Sequence, residues 1–279
     1  MTNRQIRITA GTIPYRDLGT GPTLVFIHGA FVNGRLWDPV LAELSGQFRC
    51  IVPELPFVGH KTAMDPDADL TPPGCARLIA EFLDALGLDD VTLIANDTGG
   101  AITQLVAADH PDRIGRLILT PCDTYEHFFP RTFRYIQVLA HLPGGMWLLA
   151  QTLRIPIARR MPIAFGLLGK KRIPGELLAD WCRPVASDKL VRRDAGKFLR
   201  GIRKRYTIEA AVRLRQFQRP TLLAFGADDR FFPPKHAERL AKDIPNAQVQ
   251  IISDARTFAP LDRPDAVAAL IREFAAVGA

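Results

Sequence analysis

The reading of the fold turns on residues 91–110, VTLIANDTGGAITQLVAADH. The first five residues, Val91 to Ala95, are apolar on both sides of a two-residue repeat, the pattern of a short strand buried on both faces. Asn96, Asp97 and Thr98 interrupt the run, and from Gly99 to His110 the apolar positions return at three-to-four spacing, the period of a helix. A buried strand that turns within three residues into a helix is the first half of a βαβ unit.

Working outward, the same kind of run recurs at Thr23 to Ile27, Cys50 to Val52, Leu117 to Thr120, Thr221 to Phe225 and Val249 to Ile252. Each is brief and apolar enough to be a strand covered on both faces. Helical patterns lie between them, at Thr71 to Leu86 with Pro72 and Pro73 near its start, and at His236 to Ile244. Arg4 to Thr9 and Ile13 to Leu18 flank Gly11 as an antiparallel hairpin leading in. The alternation predicts an α/β fold with a mostly parallel, doubly wound sheet.

The alternation stops after Pro121 and resumes at Pro220. The intervening segment is helical in pattern, is punctuated by Pro143-Gly144-Gly145, Pro156, Pro162 and Pro174-Gly175, and differs in charge. Residues 124–220 hold 20 Lys or Arg against 6 Asp or Glu, whereas the rest of the chain holds 16 against 23. The net charge of +7 is therefore the difference between a basic insert and an acidic remainder. The expected organisation is a core of residues 1–123 and 206–279 with a helical cap of residues 124–205.

At 279 residues, 47% hydrophobic and 23% charged, the chain can bury a large core, which excludes disordered and fibrous classes. No apolar run reaches the roughly 20 residues that span a bilayer, and the N-terminus lacks a signal-type stretch; the expected location is the cytoplasm. Cys50, Cys75, Cys122 and Cys182 form no CxxC pair and are read as buried thiols. Aromatic residues do not interleave with the basic ones in a nucleic-acid-binding pattern. The cap charge instead suggests steering of an anionic small-molecule substrate or weak contact with an anionic membrane surface around residues 145–150 and 155–171. A solvated face of Arg and Lys stems is the plainer reading. Gly19-Thr20-Gly21 is too short a match for a nucleotide loop.

The strongest chemical signal is Ala95-Asn96-Asp97-Thr98-Gly99. Small residues two positions either side of a nucleophile let a sharp strand-to-helix turn lift the middle side chain off the sheet, and here that side chain is Asp97. Phe26-Ile27-His28-Gly29-Ala30 ends an earlier strand in a position to add a second backbone donor, so the N–H groups of Ala30 and Thr98 are the expected oxyanion hole. Two other readings exist for Asp97. It is a good helix N-cap, and Asp97-Thr98-Gly99 matches the aspartic-protease triplet, which occurs once here and in an α/β context.

With these motifs the chain resembles the α/β-hydrolase family along nearly its whole length, and within it the aspartate-nucleophile branch of haloalkane dehalogenases and epoxide hydrolases. The resemblance rests on His28-Gly29, the elbow at Asp97, the placement of the cap, and Gly226-Ala227-Asp228-Asp229-Arg230-Phe231-Phe232-Pro233. It implies that Asp97 attacks an electrophilic carbon to form an ester and that Asp229 orients a histidine, which activates the hydrolytic water. The family reads Asp-Ala-Gly-His-Phe after its last strand; this chain reads Asp254-Ala255-Arg256-Thr257-Phe258, so Thr257 stands in the histidine's place. The aspartate step needs no base, but the water step does. His60 and His127 are the candidate substitutes among the remaining histidines, and Asp123 is an alternative acid to Asp229.

The resemblance is thinner for substrate. Dehalogenases carry Trp after the nucleophile and Asn after His-Gly, where this chain has Thr98 and Ala30; epoxide hydrolases carry His-Gly-x-Pro, where Phe31 stands here. Candidate substrate contacts are His28, Phe31, Trp37, Asp123, Tyr125, Tyr135, Trp147 and Tyr206, each of which could equally be core packing. Trp181 is a further possible halide donor. The implied chemistry requires no metal or organic cofactor. A lyase, cyclase or isomerase using Asp97 as base, or a silent ligand-binding protein, are the rival readings.

Overall fold

The computed structural model describes residues 2–276. Among them eight strands form one sheet in the order β1-β2-β4-β3-β5-β6-β7-β8. β1 (Thr2–Ile8) and β2 (Gly11–Leu18) are the expected antiparallel hairpin. β2 also runs antiparallel to β4 (Arg49–Pro53), and from β4 onward every pairing is parallel, through β3 (Thr23–Ile27), β5 (Val91–Asp97), β6 (Ile114–Cys122), β7 (Thr221–Gly226) and β8 (Ala247–Ile252). Chain order reverses between β3 and β5, since β4 lies on one side of β3 and all later strands on the other. In an open α/β sheet that switch point leaves a crevice at the carboxyl ends of the two strands, which is where Ala30 and Asp97 fall.

β3 to β7 are buried on both faces as expected, but β8 is not. Gln248, Gln250 and Ile251 are exposed, because β8 is the edge of the sheet and only one neighbour covers it. Helices α1 (Asp38–Leu44), α2 (Pro72–Ala85) and α3 (Thr98–Asp109) flank the sheet. The Thr71 hydroxyl caps α2 by accepting the Gly74 N–H, and Pro72 and Pro73 occupy the first turn, where a missing N–H costs nothing. α3 is buried on nearly all sides, and its glycines let it lie close to the sheet. A Cβ at Gly99 would stand 2.2 Å from the His28 carbonyl oxygen, and one at Gly100 2.3 Å from the Cys122 Cβ. Gly99→Ala is therefore expected to destabilise the fold by about 1–3 kcal/mol, as overpacking against immobile backbone does; urea unfolding measures it, and an unchanged midpoint would contradict this packing.

Between β6 and β7 the chain forms α4 (Arg134–His141), α5 (Gly145–Thr152), α6 (Pro156–Arg159), α7 (Gly175–Ser187), α8 (Lys189–Gly201) and α9 (Lys204–Arg213). α9 packs against α3, so the chain has rejoined the layer flanking the sheet by Lys204. On that ground we infer that residues 124–205 form the cap unit. Polar side chains fasten its second half to the loops after β3 and β4. Asp180 accepts from Asn33 Nδ2 at 2.9 Å and pairs with Lys61 at 3.2 Å, and Asp194 accepts the Met64 N–H at 2.7 Å. The chain ends in α10 (Pro234–Asp243), α11 (Ala259–Asp262) and α12 (Pro264–Ala276). All four cysteines are free and buried. Among the described residues no helix is long and apolar enough to cross a membrane.

Candidate active site

Asp97 ends β5 with φ +56° and ψ −136°, a strained conformation for a residue with a side chain. The strain is accommodated by small neighbours: a Cβ on Gly29 would lie 2.6 Å from the Asp97 Cβ. The backbone therefore lifts the carboxylate off the sheet. Its Oδ1 accepts the Thr98 N–H at 2.5 Å and the Thr98 hydroxyl at 2.9 Å. An ordinary N-cap has an extended backbone and accepts from the second or third helical N–H, so capping alone does not account for this geometry. Oδ2 takes part in neither bond.

Asp97, Thr98, Ala30 and Phe31 form the floor of a cavity of about 60 Å³, and the cap supplies its roof through residues such as Phe133, Tyr135, Leu149 and Leu168. Apart from Asp97, Thr98 and Tyr135 the lining is apolar, and no Lys or Arg contributes to it. The basic charge of the insert lies outside this cavity. Burial pushes the Asp97 carboxyl up to about 6 against the Thr98 hydrogen bonds, which favour the carboxylate, and the nearby charge of Asp229 adds to the rise.

Asp229 and Thr257 stand together beside this cavity. The Thr257 hydroxyl donates to the Asp229 carboxylate, lying 3.1 and 3.0 Å from its two oxygens, and both residues are buried. Asp229 Oδ1 also accepts the N–H groups of Phe231 and Phe232 at 2.8 and 3.0 Å. Burial raises its pKa, and these donors hold the rise down. The Phe258 N–H donates to the carbonyl of Leu168, which ties the Thr257 loop to the cavity roof. Asp123 is a third buried carboxyl. One oxygen accepts the Phe129 N–H at 3.0 Å and the other has no partner. Burial, then the neighbouring Asp97, drive its pKa well above the usual carboxylate range.

Several candidate contacts lie elsewhere. Trp37 is fully buried against Phe26, ring centres 5.2 Å apart, and belongs to the core. The Tyr125 hydroxyl donates to Asp243 at 2.7 Å under the Arg239 guanidinium. Tyr206 accepts from Arg205 at 3.1 Å, and Trp147 is 58% exposed on the outer cap surface. His28 is wholly buried: its Nδ1 donates to the Gly29 carbonyl and its Nε2 accepts the Leu55 N–H, each at 2.9 Å, and burial lowers its pKa to about 4. It is a neutral residue that shapes the strand end. Of the cap tyrosines only Tyr135 reaches the cavity, with its hydroxyl on the Ile163 carbonyl at 2.7 Å. His60 faces Asp194 at 3.6 Å, and His127 stacks on His236 with centres 4.3 Å apart. Among the described residues no histidine lines the cavity.

The sequence reading passed over Asn96. Its Nδ2 donates to the Thr257 carbonyl at 2.7 Å, the Thr120 hydroxyl at 2.9 Å and the Pro121 carbonyl at 3.1 Å. The residue before Asp97 thus fixes the loop that carries Thr257, a role that no local motif announces.

The sequence profile of the alpha/beta hydrolase family matches residues 24–270. The chain belongs to the alpha/beta hydrolase family. This alpha/beta hydrolase is 28% identical over 273 residues to haloalkane dehalogenase 2 of Mycobacterium tuberculosis, covering 94% of this chain and 91% of the relative. It is also 28% identical over 265 residues to a poly(3-hydroxyalkanoate) depolymerase of Ectopseudomonas oleovorans, covering 91% and 83%. In three dimensions it superposes on haloalkane dehalogenase DbeA of Bradyrhizobium elkani with a TM-score of 0.81, 20% identity and 99% of both chains covered. A thermophilic esterase of Thermogutta terrifontis gives 0.75, 24% identity, and coverage of 98% and 97%. The relatives and structural neighbours thus include a haloalkane dehalogenase, a depolymerase and an esterase on the same fold.

Proposed function

We propose that this hydrolase uses Asp97 as a nucleophile on an electrophilic carbon of an epoxide or alkyl halide. The observation that carries the reading is the strained Asp97 backbone, which aims the carboxylate into an apolar cavity while Thr98 holds Oδ1. Oδ2 attacks carbon, and the C–O or C–halogen bond breaks with its electron pair on the leaving atom. With an epoxide, the Tyr135 hydroxyl supplies the proton to the opened oxygen after leaving the Ile163 carbonyl; with a halide, no proton is needed. The Ala30 and Thr98 N–H groups then stabilise the oxyanion formed when water attacks the ester. Thr257 occupies the base position and cannot take that water's proton near neutral pH, so the ester should outlive its formation. The enzyme is assigned to the cytoplasm, a reading that the four free thiols support.

A second reading is favoured by Asp123. A carboxyl driven towards its neutral form beside one that ionises more easily is an acid and a base in one site, as a lyase or isomerase would need. Denaturing intact-mass spectrometry after exposure to small epoxides and alkyl halides separates the two. Nucleophilic attack leaves a mass adduct that localises to Asp97 and is absent from Asp97→Asn. Product without adduct would favour acid–base chemistry, and binding with neither would leave a silent receptor.

A further inference from the structure

Twelve large apolar side chains are exposed among the described residues, and eight of them lie between Val138 and Ile163. They include Trp147 and Leu148 on α5, Ile155 and Ile157 at α6, and Met161 and Ile163 beyond it. Ile157, at 75% exposed, is the most prominent. From His127 to Gly175 the sequence contains no Asp or Glu and eight Arg or Lys. Of these eight only Lys170 forms an ion pair with an acid, bridging Asp228 and Asp254. Beside the apolar tips a cleft of about 340 Å³ is walled by Arg159, Arg160, Lys171, Arg172 and Arg256, and Arg256 Nε is buried there without a partner.

Two features give this face a direction. The segments that expose Trp147, Leu148, Met161 and Ile163 turn Leu149, Ala164 and Phe165 inward onto the cavity, so the outer surface is the other side of the cavity roof. Its charge is of one sign, so a second copy of the chain meeting it through the same face would be repelled. An apolar surface with unpaired Arg and Lys around it matches a bilayer whose headgroups are anionic, where tips enter the acyl boundary and cations meet phosphates.

We propose that the α4–α6 face of the cap docks on an anionic lipid bilayer, with Trp147 and Ile157 entering the interface and Arg172 and its neighbours holding headgroup phosphates. The cavity roof then rests on the lipid, and apolar molecules dissolved in the bilayer reach it without crossing water. This docking does not depend on which reaction Asp97 performs.

The test uses the full chain and no activity readout. Trp37 and Trp181 are fully buried, so Trp147 reports its own environment. Vesicles of phosphatidylcholine with phosphatidylserine should co-sediment the protein, shift its fluorescence to the blue, and release it as salt rises. Phosphatidylcholine alone should bind far less. Arg172→Glu should weaken binding at least about fivefold, the effect of a single surface cation, and Ile157→Asp should weaken it further. Both sites are exposed, and circular dichroism checks that each variant folds. Free phosphate that competes fully would make the cleft an ion site alone and overturn the docking. Equal binding to neutral vesicles, no blue shift, indifference to Ile157→Asp, association of the chain with itself through this face, or capture of an acidic protein in place of vesicles would each also overturn it.

Discussion

Replacing Thr257 with histidine is expected to raise turnover of any substrate that alkylates Asp97, by something on the order of 10²–10⁴, the value of a positioned general base. The site is already arranged for it. Thr257 contacts the Asp229 carboxylate directly, its loop is pinned by Asn96, and Asp229 is held by two backbone N–H groups. An imidazole in that position would meet a carboxylate able to fix its tautomer. Single-turnover kinetics separates the two half-reactions. Ester formation should be nearly the same in parent and variant, while ester loss should accelerate only in the variant. Asp229→Asn in the Thr257→His background should remove most of the gain. A parent that clears its ester as fast as the variant would mean that another residue is the base.

Ester formation itself should depend on pH through Asp97. The nucleophile is the carboxylate, and burial has raised its pKa to about 6. The rate of adduct formation should rise roughly tenfold per unit from pH 4, bend near 6 and level above 7, a total of about 100-fold. A flat profile over this range would mean that the attacking group is not a carboxylate with a raised pKa. The same shift acts on stability. The folded carboxyl binds its proton more tightly than the unfolded one, so its contribution is fully present below the unfolded value of 3.8 and is lost as pH rises through about 6. At pH 8 the ionised, buried Asp97 therefore costs stability. Asp97→Asn should be more stable than the parent there, by about 1–3 kcal/mol, with the difference shrinking towards pH 4. Thermal unfolding at the two pH values measures it.

The elbow and the sheet were legible because sterics restrict them. Ala95, Gly99 and Gly100 leave room that few other sequences would need, and runs such as TLVFI at residues 23–27 suit little else than a covered strand. β8 read as a covered strand on Val249, Ile251 and Ile252, although Gln248 and Gln250 already mark it as the exposed edge that the sheet order shows. The aromatic residues were the least legible. Trp37, Tyr125, Tyr135, Trp147 and Tyr206 look alike as sequence, yet one is core, two are bonded elsewhere, one is exposed and one lines the cavity. That outcome depends on packing between segments distant in the chain. The cavity walls carry no signature for the same reason, since Leu149 and Leu168 are ordinary core residues until a cap folds over them.

The roof of that cavity has its own timescale. α4, α5 and α6 are 8, 8 and 4 residues long, shorter than helices that persist unaided in water. They are divided by Pro143-Gly144 and Pro156, whereas α7 and α8 are moored to the core by Asp180 and Asp194. Such a stretch opens by local unfolding at a free energy below that of the whole domain. With a volume of about 60 Å³, below the roughly 300 Å³ at which small-molecule pockets begin, the cavity gains room for a larger guest when that stretch opens. Amide exchange in residues 134–159 would then report how much of the time the roof stands open to a guest.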